Sequence, residues 1–86
     1  MVVRGDFAQM FGARLQELRA TAGFSQRELA ARMGTSCAAI SNLENGNTAP
    51  TLGTLVRLAE ALGCNVTDLV EVLNRNPPTA RKSRKA

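Results

Sequence analysis

An all-α fold of five short helices with no sheet is what this chain of 86 residues predicts. Three observations carry the prediction. Apolar residues recur every three or four positions along successive segments, the spacing of a helix face turned to a core. Glycines at 23, 34, 46 and 63 fall where four of these stripes run out. A serine, threonine or asparagine stands where each following stripe begins, in the position of a helix cap.

The first stripe is Phe7, Phe11, Leu15, Leu18 and Ala22. Asp6 precedes it as a candidate N-cap and Gly23 follows as a left-handed stop, which predicts a helix over 6–22. Gly12 lies inside it and weakens it by about 1 kcal/mol relative to alanine. Ser25 and Glu28 have capping-box spacing, the serine side chain for one free amide and the glutamate for the amide of Ser25. The second helix then runs through Leu29, Ala30 and Met33 to Gly34. Thr35 or Ser36 caps a third helix with Ile40 and Leu43 inside, ended by Gly46.

Asn47 to Pro50 reads as a loop, because proline disfavours helical geometry at the residue before it. Thr51 caps a fourth helix whose stripe is Leu52, Leu55, Val56, Ala59 and Leu62, with Gly63 as the stop. Asn65 and Asp68 have capping-box spacing ahead of Val66, Leu69, Val70 and Leu73, the fifth helix. Pro77-Pro78 and a run of Arg, Lys, Ser and Ala follow without apolar period. The expected organisation is an N-terminal arm over 1–5, one helical domain over 6–73, and a basic disordered tail over 74–86.

Composition narrows the chemistry. Apolar residues make up 44% of the chain, enough for one small core. No apolar run approaches the ~20 residues of a membrane helix, and the N-terminus lacks a signal peptide, so a cytoplasmic protein without membrane contact is expected. There is no histidine and there are two cysteines, Cys37 and Cys64. That excludes zinc sites built from four cysteines or from paired cysteines and histidines, and histidine general-base catalysis with them. No cofactor, metal or enzymatic activity is expected, and the two thiols read as free.

Charge divides unevenly. The chain has eleven Lys and Arg against seven Asp and Glu, a net charge of +4. Arg75, Arg81, Lys82, Arg84 and Lys85 stand in the last thirteen positions with no acid among them. Subtracting these five leaves six basic and seven acidic residues over 1–73, a net charge of −1. The basicity therefore belongs to the tail. It has two readings of similar weight: solubilising disorder, or an arm that adds about five phosphate contacts.

Gln26 to Asn45 holds two short helices joined by Gly34-Thr35-Ser36. So short a joint makes them cross steeply, as in a helix-turn-helix. Ala30 is the small residue such a crossing needs, and Gly34 tolerates the positive φ of the turn. These residues carry a resemblance. Leu18-Arg19, Gly23-Phe24-Ser25-Gln26, Leu29-Ala30, Ile40-Ser41, Leu43-Glu44-Asn45-Gly46, Pro50, Leu58-Ala59 and Leu62-Gly63 together resemble the Cro/C1-type (XRE) helix-turn-helix family over residues 11–73.

The resemblance implies a compact, phage-repressor-like DNA-binding domain with its helix-turn-helix at helices 2 and 3. It implies a homodimer on double-stranded DNA, regulating transcription, with the third helix in the major groove. The base-facing positions would be Ser36, Cys37, Ala38, Ser41 and Asn42, where the family often has longer polar side chains at 37 and 38. Asn42 suits adenine, worth ~1–3 kcal/mol of discrimination. Phosphate contacts would come from Gln26, Arg27, Arg14, Asn45, Asn47 and Thr48. Arg32 is a further clamp candidate, with an ordinary solvated-face reading beside it.

Arg19 and Glu44 would form a buried ion pair, a structural role. Val66, Val70, Val72 and Leu73 would supply the dimer surface. Cys37 is either a small side chain that fits the groove or an oxidation-sensitive thiol; Cys64 reads as apolar filler. The resemblance implies a bacterial or phage-encoded repressor, associated with the nucleoid when bound, with no small-molecule ligand. Two alternatives stay open: a restriction–modification controller acting on its own promoter, or an antitoxin whose main partner is another protein.

Overall fold

The computed structural model describes residues 4–71, with side chains from Phe7 onward. Five helices follow one another: α1 (Arg4–Ala22), α2 (Gln26–Met33), α3 (Cys37–Glu44), α4 (Leu52–Leu62) and α5 (Val66–Val70). No strand occurs among the described residues. The tail over 74–86 and the dimer candidates Val72 and Leu73 lie outside them.

Local chemistry sets most boundaries. At α2 the Ser25 Oγ accepts from the Glu28 amide at 3.0 Å while Glu28 Oε1 accepts from the Ser25 amide at 2.8 Å, a complete capping box. Ser36, rather than Thr35, caps α3 by accepting from the Ala39 amide at 3.1 Å. Thr51 caps α4 in the same way, and Asp68 accepts from the Asn65 amide at α5. The start of α1 differs from expectation. The helix begins at Arg4, so Asp6 is its third residue and not a cap. Neither Arg4 nor Gly5 is a strong enough breaker to hold the start back, and an acid suits the first turn of a helix.

Phe11, Leu15, Leu29, Ile40, Leu58 and Leu69 are fully buried and draw one or two side chains from every helix into a single core. Phe7, Leu18, Phe24, Leu62 and Cys64 are half-buried against it, whereas Ala22 is exposed. Val66 and Val70 also pack on this core, which uses part of their surface within the protomer. In α4 the buried face is Leu55, Leu58 and Ala59; Leu52 is 74% exposed and Val56 44%. The expected stripe was therefore set one step off. Both 52-55-56-59 and 55-58-59-62 satisfy helical spacing, and the core meets the second because the first turn of α4 projects past it.

Two close approaches position α3. A methyl group added at Gly12 would meet the Leu43 carbonyl oxygen at 2.7 Å and the Glu44 carbonyl oxygen closer still. At Gly46, φ is +78° and an added Cβ would lie 2.8 Å from Gln9 Cγ. Only glycine fits both demands there. The C-terminal end of α3 is thus pressed against α1 backbone to backbone.

Candidate nucleic-acid interface

The site is built on the α2–turn–α3 unit. Gly34 adopts φ +73°, and the amides of Gly34 and Thr35 donate to Ala31 and Ala30 at 3.2 and 2.9 Å. These bonds close the end of α2 and turn the chain sharply into α3. Arg57 braces the same turn from α4, its Nη2 donating to the Met33 carbonyl at 2.6 Å. A cation at the last carbonyl of a helix is favourably placed against the macrodipole. Nothing in the spacing of one sequence singles Arg57 out, and sequence reasoning missed it.

The other end of α3 is fixed by charge. Glu44 has a fully buried side chain and accepts from Arg19 Nε at 2.5 Å and from Arg19 Nη2 at 3.1 Å. The remaining Arg19 nitrogen, Nη1, donates to the Phe24 carbonyl at 2.8 Å. The hydrogen bond that this guanidinium donates to Glu44 raises its affinity for its proton, against the opposing effect of burial. Gln26 joins the group, its Nε2 donating to Glu44 Oε1 at 2.8 Å, while Cys37 Sγ faces the other amide atom, Oε1, at 4.0 Å. The first residues of α2 and α3 are in this way tied to the end of α3 and to α1. The buried polar side-chain atoms among the described residues all have partners.

On the outward face of α3, Ser36, Cys37, Ala38 and Asn42 are exposed and Ser41 is half-buried. Asn45, Asn47 and Thr48 continue this surface. Two hydrogen bonds organise it: Asn45 Nδ2 donates to Ser41 Oγ and Asn47 Nδ2 to Asn42 Oδ1, each at 3.3 Å. Both are exposed, so a ligand can replace them at little cost. Asn42 and Thr48 also share the rim of a notch between α3 and α4. The Ser36 oxygen is occupied by its capping bond but its hydroxyl can still donate.

Two arginines are engaged within the protein, one of them, Arg32, on the solvated face that the sequence offered for it. The Arg14 guanidinium, expected at a phosphate, is used within the protein: it donates to the Asp68 carbonyl at 2.8 Å and pairs with Glu17 and Glu71 at 3.1 and 3.2 Å, tying α1 to α5. Arg32 lies 4.3 Å from the centre of the Phe24 ring, a cation–π contact. Arg27 is exposed at the start of α2 and, among the described residues, has no hydrogen bond, ion pair or cation–π partner.

A two-helix unit with a left-handed glycine turn, held by a buried Arg–Glu pair, sits inside the match to a helix-turn-helix family model over residues 15–69. The chain belongs to the Cro/C1-type helix-turn-helix family. It is a DNA-binding transcriptional regulator at the level of that family.

This helix-turn-helix protein is 38% identical over 72 residues to the uncharacterized HTH-type transcriptional regulator y4dJ of Sinorhizobium fredii, spanning 84% of this chain and 94% of that one. Its fold is similar to the restriction-modification controller protein C.AhdI from Aeromonas hydrophila, with TM-score 0.76 and 31% identity over 79% of this chain and 99% of that one. The clp gene regulator ClgR of C. glutamicum gives TM-score 0.72 at 33% identity, over 74% and 82% of the two chains. No helix among the described residues is long and apolar enough to cross a membrane.

Proposed function

We propose that this protein is a homodimeric repressor that binds an inverted-repeat operator in the cytoplasm, with α3 of each protomer in the major groove. The observation that carries the reading is the contrast between the two sides of α3. Its inner side is locked by Glu44 to Arg19 and Gln26. Its outer side presents small, uncharged side chains, of which Ser36, Ser41 and Asn42 carry hydrogen-bonding groups. A rigidly held helix with such a face suits a groove where base edges offer donors and acceptors at fixed positions.

In this reading Asn42 pairs with adenine, Ser36 and Ser41 donate to base edges, and Ala38 and Cys37 pack on thymine methyl groups. Gln26, Arg27, Asn45, Asn47 and Thr48 contact phosphates on either side, helped by the free amides at the start of α2. Arg14 is left out, since its guanidinium is used on α5. Dimerisation uses Val66 and Val70, extended by Val72 and Leu73. A restriction–modification controller role is the second reading, favoured because this chain covers 99% of C.AhdI.

Selection from a random duplex library at near-physiological salt tests the proposal. An enriched inverted repeat with half-site centres about one turn apart, ~34 Å, is the expected result. Binding without any recovered motif would overturn base reading by α3. A monomeric mass by light scattering, on the selected DNA and off it, would overturn the dimer.

A further inference from the structure

The last turn of α3 closes as a Schellman motif. The Gly46 amide donates to the Leu43 carbonyl at 3.3 Å and the Asn47 amide to the Asn42 carbonyl at 2.9 Å, with Gly46 at φ +78°. The second of these bonds brings Asn47 back beside Asn42, at two positions that commonly share an apolar contact in such a motif. Here both residues are asparagines, both are exposed, and their side chains are joined: Asn47 Nδ2 donates to Asn42 Oδ1 at 3.3 Å. A side-chain bond in solvent is weak by itself. The main-chain bond lowers its entropic cost, because it has already placed the two side chains together. The turn is held from behind as well, where Gly46 packs on Gln9 of α1.

The consequence lies in the sense of the Asn42 amide. Its oxygen only accepts and its nitrogen only donates, yet the two ends have nearly the same shape, so the residue alone does not decide which end faces a given direction. In the major groove that choice matters. Adenine and cytosine present an amino group there, guanine and thymine a carbonyl oxygen. An amide free to turn over meets either kind. With Oδ1 held toward Asn47, Nδ2 is turned the other way and one sense is selected. A lone pair of Oδ1 and both hydrogens of Nδ2 stay available to a base.

We propose that Asn47 is a specificity-determining residue: its side chain fixes the sense of the Asn42 amide, so that Asn42 distinguishes bases carrying an amino group from bases carrying a carbonyl oxygen. This rests on the reading of Asn42 as a base contact given above. It adds to Asn47, there a phosphate contact, an effect on sequence preference. The two tasks are compatible, because Asn47 Nδ2 has a second hydrogen for a phosphate.

The test uses the full chain in selection from a random duplex library, followed by affinities for duplexes that differ only at one selected base pair. Asn42→Ala identifies that pair as the position where preference is lost. Asn47→Asp replaces the donor by a carboxylate that only accepts, so the Asn42 amide turns over to donate to it. The preferred base at that pair should then change between the amino and the carbonyl class, with the ratio of affinities reversed by about fivefold or more. Asn47→Ala releases the amide and should cut discrimination between the two classes by about threefold or more, with the rest of the motif unchanged. Both substitutions keep the main-chain bond that caps α3, so Tm should change little. A uniform loss of affinity across sequences, with base preference retained in both variants, would overturn the proposal and leave Asn47 as a phosphate contact alone. If Asn42→Ala selected the same motif as the unmodified chain, base reading by Asn42 would be refuted and the proposal with it, so the two failures are distinguishable.

Discussion

The α-carbon of Gly12 rests against the main-chain carbonyl of Glu44, with no room for a methyl group between them. This contact sets how deeply α3 sits on α1. Gly12→Ala should therefore destabilise the protein by about 1–3 kcal/mol in urea unfolding, through forced separation of two backbones. The sign is the informative part, because alanine is favoured over glycine inside a helix by about 1 kcal/mol. A more stable variant would mean that α1 and α3 are not in backbone contact.

Glu44 joins that packing contact to the polar group behind α3. Arg19→Met leaves the Glu44 carboxylate buried with Gln26 as its remaining side-chain partner. Removing one member of a buried pair costs about 3–5 kcal/mol, so a large fall in Tm is expected. Adding Glu44→Leu to Arg19→Met should recover part of the loss, since an apolar pair needs no compensation. A double variant no better than the single would show that Glu44 is valued for its bond to Gln26 rather than to Arg19.

The first of these contacts marks where sequence reasoning stops, whereas the Arg19–Glu44 pair was expected from family resemblance and is present. Ser25, Glu28, Ser36, Thr51 and Gly34 were legible because their partners lie within a few residues, and a cap or a stop is a local event. The Arg14 and Arg57 bonds span 54 and 24 positions, and a cation's destination over such distances depends on packing. Gly12 was read as a weak point of one helix, since the second helix that requires it is remote in sequence. The expectation that the outward face of α3 meets DNA came from resemblance to a family, and periodicity alone would have given only its buried side.

Leu52 and Leu55 are one turn apart in α4 and differ in burial, at 74% and 9% exposed. Leu55→Ala should cost about 2–5 kcal/mol, the usual effect of emptying a core site. Leu52→Ala should change stability by no more than about 0.5 kcal/mol in the monomer. Thermal unfolding of both variants checks the register of α4. Equal costs would place Leu52 in a contact that a single protomer does not provide.

Arg57 is expected to act on the turn before α3. Arg57→Met keeps most of the aliphatic stem and removes the bond to the Met33 carbonyl. The loss should be modest, about 1 kcal/mol, because the group is partly solvated. Its location is more telling than its size. Amide exchange at Thr35 and Gly34 should speed up relative to α1, and Arg57→Lys should restore part of the protection. Uniform acceleration across all helices would argue for a general packing role instead.

The two thiols should react at different rates. Cys37 is exposed on α3, while Cys64 is half-buried beside the core. Burial, with the nearby Asp68 charge adding to it, pushes the Cys64 thiol above its ordinary range. A raised value means less thiolate at any given pH near neutrality, and the thiolate is the attacking form. A disulfide reagent near pH 8 should then give a fast and a slow phase of equal amplitude, separated by about tenfold or more. Cys37→Ser should abolish the fast phase and Cys64→Ser the slow one. The slow phase should continue to accelerate with rising pH after an ordinary thiol has levelled off, because its deprotonation is displaced upward. If Cys64→Ser removed the fast phase instead, the turn between α4 and α5 would have to be open to solvent.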